Sequence, residues 1–210
     1  MALLQPILTI GHSRHSLPRF IALLETARTT SVADVRSAPV SRFSPHFNKR
    51  ALAVSLDARG IAYVFLGNEL GGRPQQQELF TGGVANYEKM AAAPSFQSGL
   101  DQLMLGAEDY RIAVMCSEAD PLDCHRCLLV GRALAGAGVE VGHILASGAV
   151  MSHSEAEERL LHLADLAEPG LLLPSRAMRL AEAYRCRCSE VAYARPAEPS
   201  ASRGGTRRRD

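Results

Sequence analysis

The chain has 210 residues, of which 47% are hydrophobic and 21% are charged, and its formal net charge at pH 7 is +1. These values are typical of a single globular domain, and the near-neutral net charge favours no class of partner. Polar residues 11–15 interrupt the first apolar stretch, so we expect no secretory signal, and no apolar run approaches the roughly 20 residues that span a bilayer. We therefore expect a cytoplasmic protein that does not bind a membrane.

Basic residues are concentrated at the C-terminal end of the chain. Residues 174–210 contain nine Arg and four acidic residues, a net charge of +5. Such a segment can attract the phosphate backbone of a nucleic acid, although arginine-rich ends are more often solvated tails. The five cysteines lack the spacing of a small disulfide scaffold. In a reducing compartment such thiols are free, metal-bound or catalytic more often than paired.

Strand and helix signals alternate along the chain. The strands are short apolar runs, predicted at 6–11, 31–36, 61–66, 111–115 and 139–145. The helices are amphipathic segments, predicted at 17–28, 49–59, 84–105 with an interruption at Pro94, 128–134 and 154–166. Ser16 and Asn48 are placed to cap the first two helices. The segment 67–83 has no regular pattern, and long irregular segments of this kind are often lids or binding loops.

Strands separated by helices of about 10–15 residues indicate right-handed crossovers and a parallel sheet. The sequence therefore predicts a three-layer, Rossmann-like α/β fold with a mostly parallel sheet of about five strands and flanking helices. We expect residues 1–168 to form this single domain. Residues 169–210 are predicted to be weakly helical around 176–184 and then to form a disordered, arginine-rich tail.

The segment between the fourth strand and the following helix concentrates reactive groups. Within eleven residues it contains Cys116, Glu118, Cys124, His125 and Arg126. In open α/β sheets ligands bind outside the carboxyl ends of the strands, next to helix N-termini that favour anions and thiolates. Cys116 or Cys124 is thus a candidate nucleophile, His125 a candidate base and Glu118 a candidate acid, and Arg126 is a candidate for binding an anionic substrate. A metal site and a buried structural network remain open alternatives.

The other strand ends bring further polar residues towards the same edge of the predicted sheet. These candidates for base or ligand-binding roles are His12, Ser13, Asp34, Arg36, Arg42, Gly71, Gly72 and Arg73. The two arginines Arg36 and Arg42 suit phosphate or carboxylate, although Asp34 and Arg36 could simply form an ion pair at the sheet edge. Paired glycines most often mark a turn. Their convergence nevertheless indicates one crevice.

Several of these segments together resemble one protein family. The motifs run in order from about residue 7 to 145: Thr9-Ile-Gly-His-Ser13, Asp34-Val-Arg36 with Pro39 and Ser41-Arg42, Gly60-Ile-Ala-Tyr63, Leu70-Gly-Gly72, Cys116-Ser-Glu118 and Cys124-His-Arg126. In combination they are similar to the domain of unknown function 488 family. The resemblance implies that these positions form one shared site, and it supplies no reaction, substrate or catalytic residue.

These observations predict an enzyme, a thiol-dependent or acid/base-dependent hydrolase or transferase, that acts on a phosphate-bearing or otherwise anionic substrate such as a nucleotide or nucleic-acid component. The interval from Cys116 to Arg126 is too long for the phosphate loop of cysteine phosphatases. One alternative is a nucleic-acid-binding module with a structural zinc site, drawing on Cys116, Cys124, His125, His12 or the Cys124–Cys127 pair. Another is a redox sensor that forms a disulfide between Cys116 and Cys124.

Overall fold

The computed structural model describes residues 5–167 and 175–196, and within them strands and helices alternate. The strands are β1 (Ile7–Gly11), β2 (Ser31–Asp34), β3 (Ala62–Phe65), β4 (Phe80–Thr81), β5 (Val84–Ala85), β6 (Ile112–Cys116), β7 (Val141–Ile144) and β8 (Val150–Ser152). The helices are α1 (Leu17–Thr26), α2 (Lys49–Asp57), α3 (Tyr87–Ala91), α4 (Pro94–Gly106), α5 (Arg132–Gly136), α6 (His153–Leu163) and α7 (Arg176–Val191). A π-helix, Arg126–Gly131, leads directly into α5.

The main sheet has six strands in the order β3-β2-β6-β1-β7-β8. The first five are parallel to their neighbours, and β8 pairs antiparallel with β7. The predicted α/β fold with a mostly parallel sheet is therefore confirmed, with one strand more than expected. The additional strand β8 has only three residues and a half-exposed pattern, so it lacks the apolar run by which the other strands were recognised.

The core has two parts, one on each face of the sheet, which gives the three predicted layers. Alternate residues of β6 enter different parts: Val114 and Cys116 pack on the side of α4 to α7, whereas Ala113 and Met115 pack on the side of α1 and α2. This alternation follows from the two-residue period of a strand. Because helices cover both faces of the sheet, the central strands β1 and β6 are entirely buried.

Both predicted cap residues occupy the N-cap positions of their helices, but only Ser16 makes a side-chain cap. The Ser16 hydroxyl accepts a hydrogen bond from the backbone N–H of Arg19 at 3.4 Å, as expected for the N-cap of α1. Asn48 precedes α2 but makes no side-chain cap. Its Oδ1 instead accepts a 2.6 Å hydrogen bond from the backbone N–H of Ser41, so the side chain fixes the preceding loop rather than the helix.

The region 67–105 agrees in part with its prediction. Two helices, α3 and α4, occupy most of the helical region expected at 84–105, and they are separated at Pro94 as predicted, whereas residues 84–85 form β5 and pair with β4 in a hairpin that was not predicted. Gly82 and Gly83 form the hairpin turn with φ angles of 58° and 81°, a conformation that favours glycine. Pro94 is the first residue of α4, where its missing N–H costs no helical hydrogen bond.

The helix predicted weakly at 176–184 extends to Val191 and packs against α6, burying Ala183 and Tyr184. The chain then pairs with the β4–β5 hairpin, because Ala85 N–H donates to the Tyr193 carbonyl at 2.9 Å. Most of the predicted tail, residues 197–210, lies outside the described residues, and the domain boundary at 168 remains a prediction. No helix among the described residues is long and apolar enough to cross a membrane.

Candidate functional site

A cavity of about 330 Å³ opens beyond the carboxyl ends of β2 and β6. This is the edge of the sheet at which ligands bind in open α/β folds. Seven of the candidates from the sequence line it: Arg36, Gly72, Arg73, Cys116, Glu118, Cys124 and His125. Its other lining residues are Ser37, Ala38, Val40, Tyr87, Ser117, Asp123, Val191 and Tyr193.

His125 is the centre of the reactive cluster. Its Nε2 lies 3.0 Å from the Val35 carbonyl oxygen, which can only accept, so this nitrogen carries a proton. The other nitrogen, Nδ1, lies 3.7 Å from the sulfur of Cys116 and 3.7 Å from that of Cys124. The fixed tautomer therefore directs Nδ1 at two thiols. It can receive a proton from either of them.

Cys124 is the more acidic of the two thiols. Burial opposes its ionisation, but the hydrogen bond from Cys116 and the positive charge of His125 outweigh burial and hold the pKa of Cys124 well below its ordinary value. The same hydrogen bond, together with burial, raises the pKa of Cys116. The pKa of His125 is raised. Burial lowers it, but the negative charge of the neighbouring Cys124 raises it by more than burial lowers it.

Glu118 shares a proton with Cys124. Its Oε2 lies 2.9 Å from the Cys124 sulfur, and two anions would repel one another at this distance. Although Glu118 as a whole residue is exposed, desolvation of its carboxyl group and the charge of Cys124 raise its pKa. The carboxyl group can therefore hold a proton beside the thiolate, at the cavity wall.

Arg126 supports the cluster from behind and does not line the cavity. Its side chain is 1% exposed and donates hydrogen bonds to the Glu118 carbonyl at 2.7 Å and to the Ala119 carbonyl at 3.0 Å. Its backbone N–H points at the Cys124 sulfur from 3.5 Å, at the start of the π-helix. A helix N-terminus stabilises negative charge, which agrees with an ionised Cys124.

Asp34 and Arg36 form a buried ion pair. The Asp34 carboxylate accepts hydrogen bonds from Arg36 Nε at 2.9 Å and Nη2 at 2.6 Å, and from the Tyr63 hydroxyl at 2.7 Å. Arg36 Nη2 also donates to the Phe47 carbonyl, and Nη1 donates to His12 Nε2 at 3.3 Å. Of the two residues, only Arg36 lines the cavity, and Asp34 orients its guanidinium group.

His12 lies behind Arg36 and does not line the cavity. Its Nδ1 donates to the Ser13 carbonyl, so Nε2 is the acceptor for Arg36 and is not free to act on a ligand. Burial, followed by the charge of Arg36, lowers the pKa of His12 to about 4. The imidazole is consequently neutral at pH 7 and stacks on Phe47 with ring centroids 4.4 Å apart.

Two glycines are required by close approaches within the site. A Cβ at Gly72 would lie 2.8 Å from the His125 ring, so the backbone here packs directly against the imidazole. A Cβ at Gly11 would lie 1.8 Å from the Glu118 carbonyl oxygen. Because such distances are far below van der Waals contact, both positions demand glycine. Gly71 faces another hollow, beside Gly67 and Ser37.

The remaining predicted residues lie at or outside the rim. Arg73 is exposed and lines the cavity, with its guanidinium 5.2 Å from the centre of the Tyr193 ring. Ser13 anchors a loop through a 2.8 Å hydrogen bond from its N–H to the Ser117 carbonyl. Arg42 is exposed and is not among the lining residues.

The C-terminal segment contributes to the cavity, although no sequence pattern placed it at the strand ends. The wall of the cavity includes Val191, the last residue of α7, and Tyr193, two residues beyond it. Tyr87 of α3 also forms part of this wall. Asp123 at the rim pairs with Arg187 of α7, which ties the helix to the site. Nothing in the local sequence pattern links residue 193 to the strand ends, because the connection is made only by tertiary packing.

Metal-binding geometry is present in the cluster. The ligand atoms of Cys116, Cys124 and His125 all lie within 4.8 Å of one another. His12 does not belong to this group, and Cys127 belongs to a separate group with His143 and His153. The zinc hypothesis therefore retains three of its proposed ligands, whereas the Cys124–Cys127 pair is divided between two clusters.

Fold and site together define an α/β domain with a cysteine–histidine cluster in a cavity at the strand ends. A family model described as Domain of unknown function DUF488 matches residues 16–133, more than half of the chain, and the chain belongs to this family. The resemblance inferred from the motifs is thus confirmed, although the matched range is shorter than 7–145. Comparisons with curated proteins and with solved structures give no match.

Proposed function

We propose that the protein is a thiol-dependent hydrolase or transferase that acts on a small phosphate-bearing or otherwise anionic substrate. The observation that supports this most strongly is the set of contacts around Cys124. Its sulfur lies beside Glu118, within reach of His125 Nδ1, and at the wall of a cavity that also contains two arginines. A nucleophile, a proton carrier and an electrophile-binding space are thereby adjacent.

The chemistry follows from the shared proton. The Cys124 thiolate forms a bond to the electrophilic atom of the substrate, and the bond to the leaving group breaks with its electron pair. Glu118 Oε2 gives its proton to the leaving group. Water or another acceptor then displaces the thiolate and releases a proton, which Glu118 takes up. His125 stabilises the thiolate in the free protein.

Anion binding is assigned to Arg36 and Arg73. The hydrogen bonds of Arg36 to Asp34, Phe47 and His12 use four of its five N–H groups, so one Nη1–H remains for a ligand. Arg73 is exposed, and the ring of Tyr193 packs against it. The cavity volume is at the lower end of the roughly 300–1,000 Å³ of small-molecule sites, which favours a nucleotide-sized substrate over a polymer.

Alkylation at pH 6 tests the reactive thiol. A cysteine with an ordinary pKa near 8.5 is only about 0.3% thiolate at this pH. We expect iodoacetamide to modify Cys124 before the exposed Cys186, whose pKa is raised by its hydrogen bond to Glu182. Peptide mass spectrometry identifies the modified residue. Modification of Cys186 first would contradict the proposal, because accessibility alone would then decide reactivity.

The anionic character of the cavity ligand is tested by comparing iodoacetate with iodoacetamide. We expect the Arg73→Gln variant to lower the rate ratio of the charged to the neutral reagent at Cys124 several-fold. Arg42→Gln serves as the matched control, because Arg42 is exposed and does not line the cavity. Nucleoside monophosphates should raise the melting temperature of the parent and not that of Arg73→Gln. Equal responses in all three proteins would remove the role assigned to Arg73.

A metal-dependent reaction is the second candidate function. It is favoured by the two 3.7 Å separations between His125 Nδ1 and the sulfurs, which resemble the ligand spacing around a zinc ion. In that case Cys116, Cys124 and His125 would hold the ion, and the cavity would supply the open position.

This candidate function predicts that a Cys116→Ser/Cys124→Ser variant loses the ion. It also predicts that bound metal protects Cys124 of the parent from alkylation and that a chelator removes this protection.

A further inference from the structure

A second cluster of potential metal ligands lies in the interior of the protein, and none of its members lines the cavity. It consists of Cys127 on the π-helix, His143 on β7 and His153 at the start of α6, all buried. The His143 Nε2 atom lies 3.6 Å from the Cys127 sulfur and 3.1 Å from His153 Nδ1. The three ligand atoms lie within 4.8 Å of one another.

These separations match those between ligands of a single metal ion. With metal–sulfur and metal–nitrogen distances of about 2.3 and 2.05 Å, tetrahedral geometry places two nitrogens about 3.3 Å apart and a sulfur and a nitrogen about 3.6 Å apart. The distances from His143 to its two neighbours agree with these values within about 0.2 Å. Three different elements of the fold supply the ligands, so the spacing is set by tertiary packing.

The outer nitrogens of both histidines face oxygen atoms. His143 Nδ1 lies 2.8 Å from the Thr9 hydroxyl, and His153 Nε2 lies 3.0 Å from the Tyr184 hydroxyl. Tyr184 in turn donates to Glu157 at 3.3 Å. This is the arrangement by which metal-binding histidines are held, with one nitrogen on the metal and the other donating its proton to an oxygen. It leaves the lone pairs of His143 Nε2 and His153 Nδ1 available for a metal, and both nitrogens lie within 4.8 Å of the Cys127 sulfur.

We propose that Cys127, His143 and His153 bind one thiophilic metal ion, with Zn²⁺ as the expected occupant. Thiolate and imidazole are ligands that zinc accepts readily, and a bound water can complete its coordination. The Cys127 thiolate supplies one negative charge to the ion, and the Glu157 carboxylate, 3.9 Å from His153 Nε2, supplies a second one nearby. Cu⁺ accepts the same ligands, and metal analysis distinguishes the two ions. This site does not depend on the proposed function of the cavity.

The test compares the metal content of four proteins expressed with added zinc and copper and freed of any affinity tag. Elemental mass spectrometry measures the metal content, and we expect Cys127→Ser to bind about one metal ion per chain fewer than the parent. Cys188→Ser is the matched control, because Cys188 is a partly buried cysteine of α7 outside both clusters. The Cys116→Ser/Cys124→Ser variant should retain the equivalent, which separates this site from the cavity.

A cobalt experiment keeps the test independent of the folding of Cys127→Ser. Addition of Co²⁺ to metal-free Cys116→Ser/Cys124→Ser should produce a thiolate-to-cobalt charge-transfer band and the visible bands of tetrahedral Co²⁺. The bands should be absent from the same variant carrying Cys127→Ser. If the folded Cys116→Ser/Cys124→Ser protein binds neither zinc, copper nor cobalt, the proposal is wrong, and the two histidines form only a chain of hydrogen bonds from Thr9 to Glu157.

Discussion

Replacement of Asp34 by Asn tests the most heavily buried charge in the site. Asp34 is fully buried and Arg36 is 5% exposed, and the carboxylate accepts two side-chain hydrogen bonds from the guanidinium. Asn preserves the volume and removes the charge, so the Arg36 cation stays in the interior without its counter-ion. Breaking a buried pair in this way costs about 3–5 kcal/mol. With a urea m-value of about 1–3 kcal/mol per molar, the unfolding midpoint should fall by at least about 1 M.

Far-UV circular dichroism in urea measures this loss, and it suits a chain that contains no Trp. The matched control is Glu25→Gln, which removes the partner of Arg59 from an ion pair whose side chains are about half exposed. That variant should lose less than about 1 kcal/mol, because water solvates exposed charges. Adding Arg36→Met to Asp34→Asn should recover part of the lost stability. Equal losses in Asp34→Asn and Glu25→Gln would refute the assignment of Asp34 as the counter-ion that holds Arg36.

Three further predictions follow from the same geometry. Gly72→Ala should slow alkylation of Cys124 at least about tenfold, because the new Cβ displaces His125, whereas Gly136→Ala, which meets open space, should leave the rate unchanged. The loss of unfolding free energy as the pH drops from 6.5 to 4 should be about 1–3 kcal/mol smaller in His12→Gln than in the parent, because unfolded His12 takes up a proton that the folded form, with a pKa of about 4, does not. His143 and His153, whose pKa values are also lowered, should keep the remaining fall in both proteins. A gel-shift series at rising salt, with and without residues 197–210, should show salt-sensitive nucleic-acid binding only in the full chain; equal binding by both forms would remove the tail from the interaction.

The sequence predicted those parts of the fold that depend on local patterns. Continuous apolar runs identified β1 and β6, because a central parallel strand is apolar on both faces. The strand ends then predicted that Cys116, Cys124 and Glu118 would share a cavity with Arg36, since parallel strands end at one edge of the sheet. The positions of side chains relative to the cavity could not be derived in this way.

The features that escaped prediction all depend on partners distant in sequence. The β4–β5 hairpin has strands of two residues, and the apolar residues around it also fit a helical period. Tyr193 reaches the cavity because its carbonyl accepts a hydrogen bond from Ala85, a contact between segments more than a hundred residues apart. The second cluster was missed for the same reason, because His143 and His153 lie on different elements from Cys127.

The short segment from Cys124 to Cys127 gives the molecule two chemically distinct centres. Cys124 and His125 face the cavity, whereas Cys127 faces β7 and α6, and the buried side chain of Arg126 fixes the loop that carries Glu118. The π-helix that begins at Arg126 is a rare conformation that occurs frequently at functional sites. Cys124 precedes the π-helix and Cys127 lies in its first turn, and the Cys127 N–H donates to the Cys124 carbonyl at 3.1 Å, so one short backbone segment carries a residue of each centre.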